Sequence, residues 1–246
     1  MRIFITGGAG FIGTHLCKKL STLHKVTAYD NLSNSNQKDF CATSDVKLVI
    51  GDILDTAKLS HSMKNHDIVI HLAAKTDVVD SVDNPDDTFQ TNVDGTQNVL
   101  DSCVSNNVTK LIATSSAAVY KNSDSIVSES SDAKPSSPYG QSKLDMEKII
   151  MSFGINYSIL RLFNVYGSGS TGGVITNFAK NISKNKPLVI FGDGKAVRDF
   201  VHVADVVDGI ILCMDSESGI HNIGSGVGTS VIQLANMFTR SSDEKI

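Results

Sequence analysis

The feature that most constrains the fold is a short apolar strand that runs directly into regularly spaced glycines and then into a helix. The strand is predicted over Arg2–Thr6, and the glycines are Gly7, Gly10 and Gly13. Gly7 permits a tight turn, Gly10 lets a pyrophosphate approach the backbone, and Gly13 lets helix and strand pack closely. The unpaired N–H groups of the helix N-terminus favour a bound phosphate. The pattern predicts a dinucleotide site, with a turn that binds no ligand as the alternative.

An acidic residue follows the second predicted strand. This strand covers Val26–Tyr29 and ends at Asp30. A carboxylate at this point can accept hydrogen bonds from both hydroxyls of an adenosine ribose and would repel a 2′-phosphate, which favours NAD over NADP. A turn aspartate without a ligand is the alternative. Asn31 and Ser33 follow in a polar loop near the same ribose.

The third predicted strand, Val46–Ile50, delivers a second acidic residue to the same edge. Asp52 can hydrogen-bond the adenine amino group, and Ile53 can pack on the ring. A helix-capping role for Asp52 or for the nearby Asp55 explains the same residues equally well.

The fourth predicted strand, Asp67–His71, runs into Leu72-Ala73-Ala74. Small residues at a strand end allow the close approach of a flat cofactor. We interpret His71 as a structural residue of the strand terminus.

Strands alternate with helices throughout this half of the chain. A long helix is predicted over 85–106, and within it a buried amide of Asn92 would bridge the cofactor region and the backbone. A fifth strand, Lys110–Thr114, follows. This alternation predicts an α/β fold with a Rossmann-like, doubly wound parallel sheet, whose ligands bind beyond the carboxyl ends of the strands.

A tyrosine and a lysine lie one helical turn apart later in the chain. Pro138 suits the first turn of a helix, and a helix that begins there places Tyr139 and Lys143 on one face. An ammonium beside a phenol favours the phenolate, and a general base needs such a lowered pKa near neutral pH. Chance spacing on an ordinary helix is the alternative.

Composition narrows the class of protein. The chain has 246 residues, is 41% hydrophobic and 20% charged, and carries a formal charge of −4. This balance is typical of a globular protein and gives no reason to expect nucleic acid or a membrane as a partner. No apolar run approaches a membrane span, and the first strand leaves no room for a signal peptide. Cys17, Cys41, Cys103 and Cys213 are scattered, which indicates free thiols in a reducing compartment, the cytoplasm, rather than metal ligands.

Taken together, these motifs resemble the extended short-chain dehydrogenase/reductases of the NAD-dependent epimerase/dehydratase family that act on nucleotide sugars. The resemblance covers essentially the whole chain, including Thr6–Gly13, Gly51-Asp52-Ile53, His71–Ala74, 92–96 and 139–143. Later matches are 161–167, 191–194 and 197–202. With the residues discussed above, it implies a cofactor-binding set of Gly7, Gly10, Phe11, Ile12, Gly13, Asp30, Asn31, Ser33, Asp52, Ile53, Leu72, Ala73, Ala74, Asn92, Tyr139, Lys143 and Phe163.

The resemblance also implies a reaction. Tyr139 would remove the proton of the sugar 4-hydroxyl, Ser116 would hydrogen-bond the same oxygen, and Lys143 would hold the nicotinamide ribose. Relatives that dehydrate or decarboxylate the sugar usually carry acidic residues just after the catalytic Ser or Thr. This chain has Ala117 and Ala118 there. The implied activity is NAD-dependent 4-epimerisation of a nucleotide sugar of the UDP-glucose/UDP-galactose type through a transient 4-keto sugar.

The second half of the chain is predicted to bind the substrate. We divide the chain into an NAD-binding Rossmann domain over 1–165, with part of 195–215 packing back on it, and a smaller nucleotide-sugar lobe over 166–246. The family normally continues beyond Ile246, so the lobe is expected to be C-terminally truncated. The family pattern implies a substrate set of Ser116, Tyr139, Asn164, Phe191 and Arg198, with Phe191 on a short strand, Leu188–Phe191, that flanks the base. A surface ion pair with Asp199 or Asp205 is the alternative for Arg198.

Other functions remain open on the residues alone. The substrate could be a uronic acid or an N-acetyl sugar, or the enzyme could be a one-way ketoreductase. A cofactor-binding sensor or scaffold without turnover is the alternative from another class. The family resemblance further implies a homodimer formed through the helices predicted over 85–106 and 138–153.

Overall fold

The computed structural model describes residues 1–34, 40, 45–121 and 126–241, and Cys41 lies outside them. Seven parallel strands form the main sheet in the order β3-β2-β1-β4-β5-β6-β9. Its strands are β1 (Arg2–Thr6), β2 (Lys25–Asp30), β3 (Val46–Ile50), β4 (Ile68–His71), β5 (Lys110–Ser116), β6 (Tyr157–Leu162) and β9 (Gly219–Ile223). The order reverses at β1, so a crevice opens between the ends of β1 and β4, where such folds bind ligands. The predicted doubly wound α/β fold is confirmed.

Helices cover both faces of this sheet. The α-helices are α1 (Phe11–Leu20), α2 (Thr56–Met63), α3 (Asp80–Asp83), α4 (Pro85–Phe89), α5 (Gly95–Ser105), α6 (Pro138–Ser152), α7 (Val174–Ile182), α8 (Val203–Leu212) and α9 (Val231–Ser241). A π-helical turn, Gln90–Asp94, joins α4 to α5, and a 3₁₀ turn, Ala117–Val119, follows β5. The predicted continuous helix over 85–106 is therefore interrupted. None of the helices in the described ranges is long and apolar enough to cross a membrane.

Alternating side chains of the strands feed two separate cores. Ile3 and Ile5 of β1 pack with α1 and α8 on one face. Phe4 packs with α2, α5 and α6 on the other face. This alternation follows from the two-residue period of a strand, and near-continuous apolar strands are expected where a parallel sheet is covered on both faces.

A second, three-stranded sheet carries the other side of the crevice. It has the order β10-β8-β7, with β7 (Asn164–Tyr166), β8 (Val197–His202) and β10 (Gly228–Ser230). Helices α7 and α9 pack together on it around the buried Phe178. Within the stretch 166–246, α8 packs on α1 and β9 pairs with β6, so the chain returns to the main sheet before it enters β10. The predicted strand over 188–191 is wrong, because these residues form an irregular segment.

Candidate active site

A cleft of about 850 Å³ lies beyond the carboxyl ends of the strands of the main sheet, between that sheet and the smaller one. Nearly every residue predicted for the site lines it. These residues are Gly7, Gly10, Phe11, Ile12, Gly13, Asp30, Asn31, Ser33, Asp52, Ile53, Leu72, Ala73, Ala74, Ser116, Tyr139, Lys143, Phe163, Asn164 and Arg198. Asn92 and Phe191 do not line it.

The glycine turn at one end of the cleft has the geometry of a phosphate cradle. Gly7 has φ +68, in the left-handed region that favours glycine. A Cβ added to Gly13 would lie 2.3 Å from the Gly7 carbonyl oxygen, so this position requires glycine for α1 to approach the turn. Gly10 is the N-cap of α1, and no side chain in the described part of the chain caps that end. The first N–H groups of α1 are therefore available to an anion, which fits the pyrophosphate of NAD.

Asp30 is buried at the end of β2 and joins the glycine turn to the loop after it. Its Oδ2 accepts the Ala9 N–H at 3.0 Å, and its Oδ1 accepts the Leu32 N–H at 2.8 Å. A carboxylate offers about four lone-pair positions, so each oxygen can accept more than one hydrogen bond. The carboxylate is thus held in place by the backbone on both sides.

Asp52 lies in the cleft and does not cap α2. Its Oδ2 accepts a hydrogen bond from the Asn31 amide at 2.9 Å, and its Oδ1 accepts the Leu54 N–H at 2.9 Å. The N-cap of α2 is Asp55, whose side chain accepts the Lys58 N–H at 3.0 Å. The helix-capping role that was the alternative for Asp52 is therefore filled by Asp55.

His71 is sealed behind the cleft. Its Nδ1 lies 2.7 Å from the Thr6 hydroxyl oxygen and its Nε2 lies 2.9 Å from the Thr96 hydroxyl oxygen. The Thr96 hydroxyl donates to the Asn92 carbonyl, so it accepts from Nε2–H, and Thr6 donates to Nδ1. Burial lowers the pKa of His71 to about 3, which keeps the ring neutral. Its bonds and burial agree with a structural role.

Asn92 supports the cleft from behind. Its amide donates to the Lys75 carbonyl at 3.0 Å and to the Ser142 hydroxyl at 2.9 Å, and its oxygen accepts the Lys75 N–H at 2.8 Å. The π-helical turn carries this residue. The Asn92 side chain holds the segment that follows Ala74 against α6. It does not line the cleft itself.

Tyr139 and Lys143 lie buried on α6, opposite the end of β5. The Ser116 hydroxyl lies near the Tyr139 phenol, and both side chains line the cleft. The Lys143 ammonium donates to the Thr114 carbonyl at 2.9 Å. Ser137 caps α6 by accepting the Gly140 N–H at 3.1 Å, and Pro138 occupies the first turn as predicted. The structure therefore brings the three predicted catalytic side chains together.

The pKa values at this point are governed by burial. Burial raises the pKa of the Tyr139 phenol, and the hydrogen bond from Ser116 opposes this. Burial lowers the pKa of Lys143 to about 8, while the charge of Glu147 opposes that change. The expectation that the neighbouring ammonium gives Tyr139 a lowered pKa is wrong for the protein alone, because loss of hydration disfavours a buried phenolate.

Asn164 and Arg198, which were predicted to bind substrate, both line the cleft, but their environments differ from the prediction in part. The Asn164 amide donates to the Asp199 carbonyl at 3.0 Å. The Asp199 carboxylate accepts hydrogen bonds from Ser225 and Gly226. The ion pairs found within the described ranges do not include Arg198, whose guanidinium donates to the Val197 carbonyl at 2.8 Å. The guanidinium at the cleft wall is thus not neutralised by Asp199.

Phe191 does not belong to the cleft. It is 89% exposed and lies in the irregular segment where a strand was expected. Without a strand to direct its side chain, the structure does not bring Phe191 to the other predicted residues.

Some residues at the site were not predicted from the sequence. Lys75, Thr76 and Asp77 line the cleft beside Ala74, and the 170–176 segment forms part of its opposite wall. Glu147 lies one helical turn beyond Lys143, and a search for acidic residues on the Tyr139–Lys143 face of the helix would have found it.

Comparison with known proteins gives the family. The model of the NAD dependent epimerase/dehydratase family matches residues 3–224. The UDP-glucose 4-epimerase of Yersinia pestis is 34% identical over 279 residues, which cover 98% of this chain and 82% of the relative. The chain belongs to the NAD-dependent epimerase/dehydratase family, and its cofactor is NAD.

Solved structures extend the range of similar enzymes. The UDP-N-acetylglucosamine 4-epimerase of Methanobrevibacter ruminantium, in complex with UDP-N-acetylmuramic acid, has a TM-score of 0.93 and 31% identity, covering 100% of this chain and 83% of that chain. The dTDP-glucose 4,6-dehydratase DesIV of Streptomyces venezuelae, with NAD bound, has a TM-score of 0.93 and 30% identity, covering 100% and 82%. The chain is therefore similar to both epimerases and dehydratases.

Proposed function

We propose that the protein is an NAD-dependent 4-epimerase of a UDP-hexose of the UDP-glucose/UDP-galactose type. The observation that carries the proposal is the placement of the Tyr139 and Ser116 side chains near each other at the head of the cofactor cleft, with Lys143 one turn behind Tyr139. Ala117 and Ala118 follow Ser116, so this turn offers no acid to assist the departure of a leaving group. Epimerisation needs no such acid, and this favours it over dehydration.

NAD is held in this proposal by the glycine turn and the residues around it. Gly10 and the N-terminus of α1 bind the pyrophosphate, Asp30 binds the adenosine ribose, and Lys143 binds the nicotinamide ribose. When bound, NAD supplies the reversible hydride acceptor that the change at sugar C4 requires.

Tyr139 and Ser116 handle the proton. Tyr139, as the phenolate, takes the proton of the sugar 4-hydroxyl and gives it back after the 4-keto sugar has turned over. Ser116 hydrogen-bonds the same oxygen. Burial raises the pKa of Tyr139, and the Ser116 hydroxyl opposes this change. In the proposed mechanism the neighbouring Lys143 ammonium also favours the phenolate.

Arg198 and Asn164 form the substrate end of the proposed site. The planar guanidinium of Arg198 suits diphosphate oxygens, and Asn164 on β7 lines the same cleft. Another UDP-sugar, a uronic acid or an N-acetyl sugar, fits the same diphosphate contacts and is the second candidate substrate. The similarity to a UDP-N-acetylglucosamine 4-epimerase supports this second candidate.

The assembly and location follow from the same family. We propose a homodimer formed by the face of α4, α5 and α6, where Val104 and Met151 are exposed. Sedimentation equilibrium should give twice the mass of the chain, and a monomer at all concentrations would remove this part of the proposal. We place the protein in the cytoplasm, which its buried free thiols Cys17, Cys103 and Cys213 support.

The experiment that tests the function uses a panel of nucleotide sugars. The protein is incubated with NAD and UDP-galactose, UDP-glucuronic acid or UDP-N-acetylglucosamine, and the C4 epimers are separated. Conversion of UDP-galactose to UDP-glucose without consumption of added NADH is expected. Conversion of another sugar alone would favour the second candidate, net consumption of NADH would indicate a ketoreductase, and NAD binding without conversion of any sugar would indicate a non-catalytic sensor.

A further inference from the structure

Glu147 is a buried acid directly beyond the proposed catalytic residues. Tyr139, Lys143 and Glu147 follow one another at four-residue intervals along α6, so they share one face of the helix. Glu147 is fully buried, and its carboxylate accepts a hydrogen bond from the Ser115 hydroxyl. Ser115 lies between Thr114, whose carbonyl accepts from Lys143, and Ser116, whose hydroxyl lies near the Tyr139 phenol. The three α6 residues therefore face three consecutive residues of β5.

Arg161 of β6 holds this carboxylate from the other side. Its Nε donates to Glu147 Oε1 at 3.0 Å, and its Nη2 donates to Oε2 at 2.7 Å, which makes the pair bidentate. Its Nη1 donates to the Tyr120 hydroxyl at 2.9 Å. Both partners of the ion pair are buried. The carboxylate is consequently fixed in position.

A buried ion pair of this kind contributes little net free energy to the joining of a helix and a sheet. The loss of hydration of two charges often exceeds their mutual attraction, and well-packed apolar residues often stabilise a fold as well or better. Neither Glu147 nor Arg161 lines the cleft, so neither touches cofactor or substrate. We therefore expect the Glu147 charge to affect a neighbouring group, and Lys143 lies one helical turn away.

We propose that Glu147, fixed by Arg161, is a positioning residue that keeps Lys143 in its ammonium form at the end of β5 and so acts on Tyr139 through Lys143. The role of Lys143 rests on the proposed function, but its protonation state can be measured without turnover.

The groups around Lys143 identify Glu147 as the one that favours its charge. Glu147 and Tyr139 face it from α6, the neutral ring of His71 faces it from β4, and the Thr114 carbonyl faces it from β5. Burial lowers the pKa of Lys143 to about 8, and the charge of Glu147 raises it. Without that charge the ammonium would lose its proton at a lower pH.

The test is a titration of Lys143 by NMR in protein labelled with ¹³C at lysine Cε, with K143M used to assign the resonance. E147Q is expected to lower the midpoint of the Lys143 titration by about one pH unit or more, an about tenfold loss of proton affinity. D145N is the matched control, because Asp145 carries the same charge on the same helix but bonds Gln141 and Lys148 at its surface. The Lys143 midpoint in D145N should equal that in the unmodified protein. An unmoved midpoint in folded E147Q would overturn the proposal.

A second variant covers the case in which E147Q does not fold. The double variant E147Q/R161M removes both charges of the Glu147–Arg161 pair, so neither of the two is left buried without the other. It should also lower the Lys143 midpoint, because Glu147 is the charge that raises the Lys143 pKa. An unchanged midpoint in this folded variant would again contradict the proposal.

Turnover supplies an independent readout where the epimerase assay succeeds. The alkaline limb of the kcat–pH profile should move to lower pH in E147Q, stay in place in D145N, and return towards its original position in E147D, which restores the carboxylate. A limb that does not move while the melting temperature falls would reduce Glu147 to a structural ion pair. If no sugar is converted at all, the proposed function fails while the NMR titration still decides the Lys143 question.

Discussion

The Asn92 amide donates a hydrogen bond at 2.9 Å to the hydroxyl of Ser142, and this bond joins the π-helical turn to α6. Ser142 in turn donates to the Tyr139 carbonyl at 2.8 Å. Asn92 also holds both backbone groups of Lys75. One buried amide thus connects the segment that follows β4 to the turn of α6 that carries Tyr139.

Replacement of Asn92 by Ala should therefore affect stability and cofactor binding together. The variant leaves the buried groups of Lys75 and Ser142 without their partner, and we expect a loss of about 1–3 kcal/mol in the free energy of unfolding. NAD affinity should fall as well, because the 72–75 segment loses its support. Urea unfolding and NAD titration measure the two effects. Asn98→Ala is the control. It removes one hydrogen bond to the Ile53 carbonyl, so the loss in the free energy of unfolding should be smaller than in Asn92→Ala.

The glycine turn predicts a steric effect at Gly13. In Gly13→Ala the new Cβ would fall 2.3 Å from the Gly7 carbonyl oxygen and 2.7 Å from Gly8, so α1 must move away from the turn. Overpacking of this kind costs about 1–3 kcal/mol, and the displaced helix should bind NAD poorly. Gly172→Ala is the matched control, since its Cβ would meet nothing within 4 Å. Equal melting temperatures for the two variants would contradict the account.

Asp30 predicts the choice between NAD and NADP. In Asp30→Ala the ribose hydroxyls lose their acceptor and the repulsion of a 2′-phosphate disappears. NAD should bind about tenfold more weakly, which corresponds to about 1.4 kcal/mol, while NADP should bind more tightly relative to NAD. Fluorescence titration with both cofactors measures the ratio. Asp55→Ala removes only the cap of α2 and should leave this ratio unchanged.

His71 predicts how stability depends on pH. Its pKa is about 3 in the folded protein, below the ordinary value of 6.5. Between these values the unfolded chain binds the proton and the folded chain does not, so stability must fall as the pH falls below about 6.5. The limiting slope is about 1.4 kcal/mol per pH unit for one proton. Urea unfolding between about pH 5 and 6.5 should show a reduced slope in His71→Gln, whereas the exposed His61→Gln should keep the slope of the unmodified protein.

Local signals allowed much of the cofactor half to be predicted. Gly7 and Gly13 act through backbone geometry, and Asp30 acts through its position at a strand end. A sequence pattern of a strand followed by a turn reveals both the geometry and the position. The parallel sheet could be predicted because short apolar strands alternate with helices along the chain, which is also a local signal.

Features that depend on distant partners could not be predicted in this way. The pKa of Tyr139 depends on the depth of its burial, which helical spacing does not reveal. The π-helical turn at Asn92 interrupts a pattern that looks like a continuous helix. Phe191 lies in a segment whose apolar residues resemble a strand, but no neighbouring strand pairs with it in the described part of the protein. Arg161 and Glu147 meet only because β6 lies beside β5.

The most direct measurement of the central claim is the rate of UDP-galactose conversion by Tyr139→Phe. This change removes the proposed base but keeps the ring and its packing. We expect kcat to fall by about 10²- to 10⁴-fold with NAD still bound, since general acid–base catalysis contributes that much. Tyr157→Phe, on β6, makes the same chemical change away from the cleft and should keep full activity. Tyr139→Phe protein that converts UDP-galactose at the unmodified rate would contradict the account.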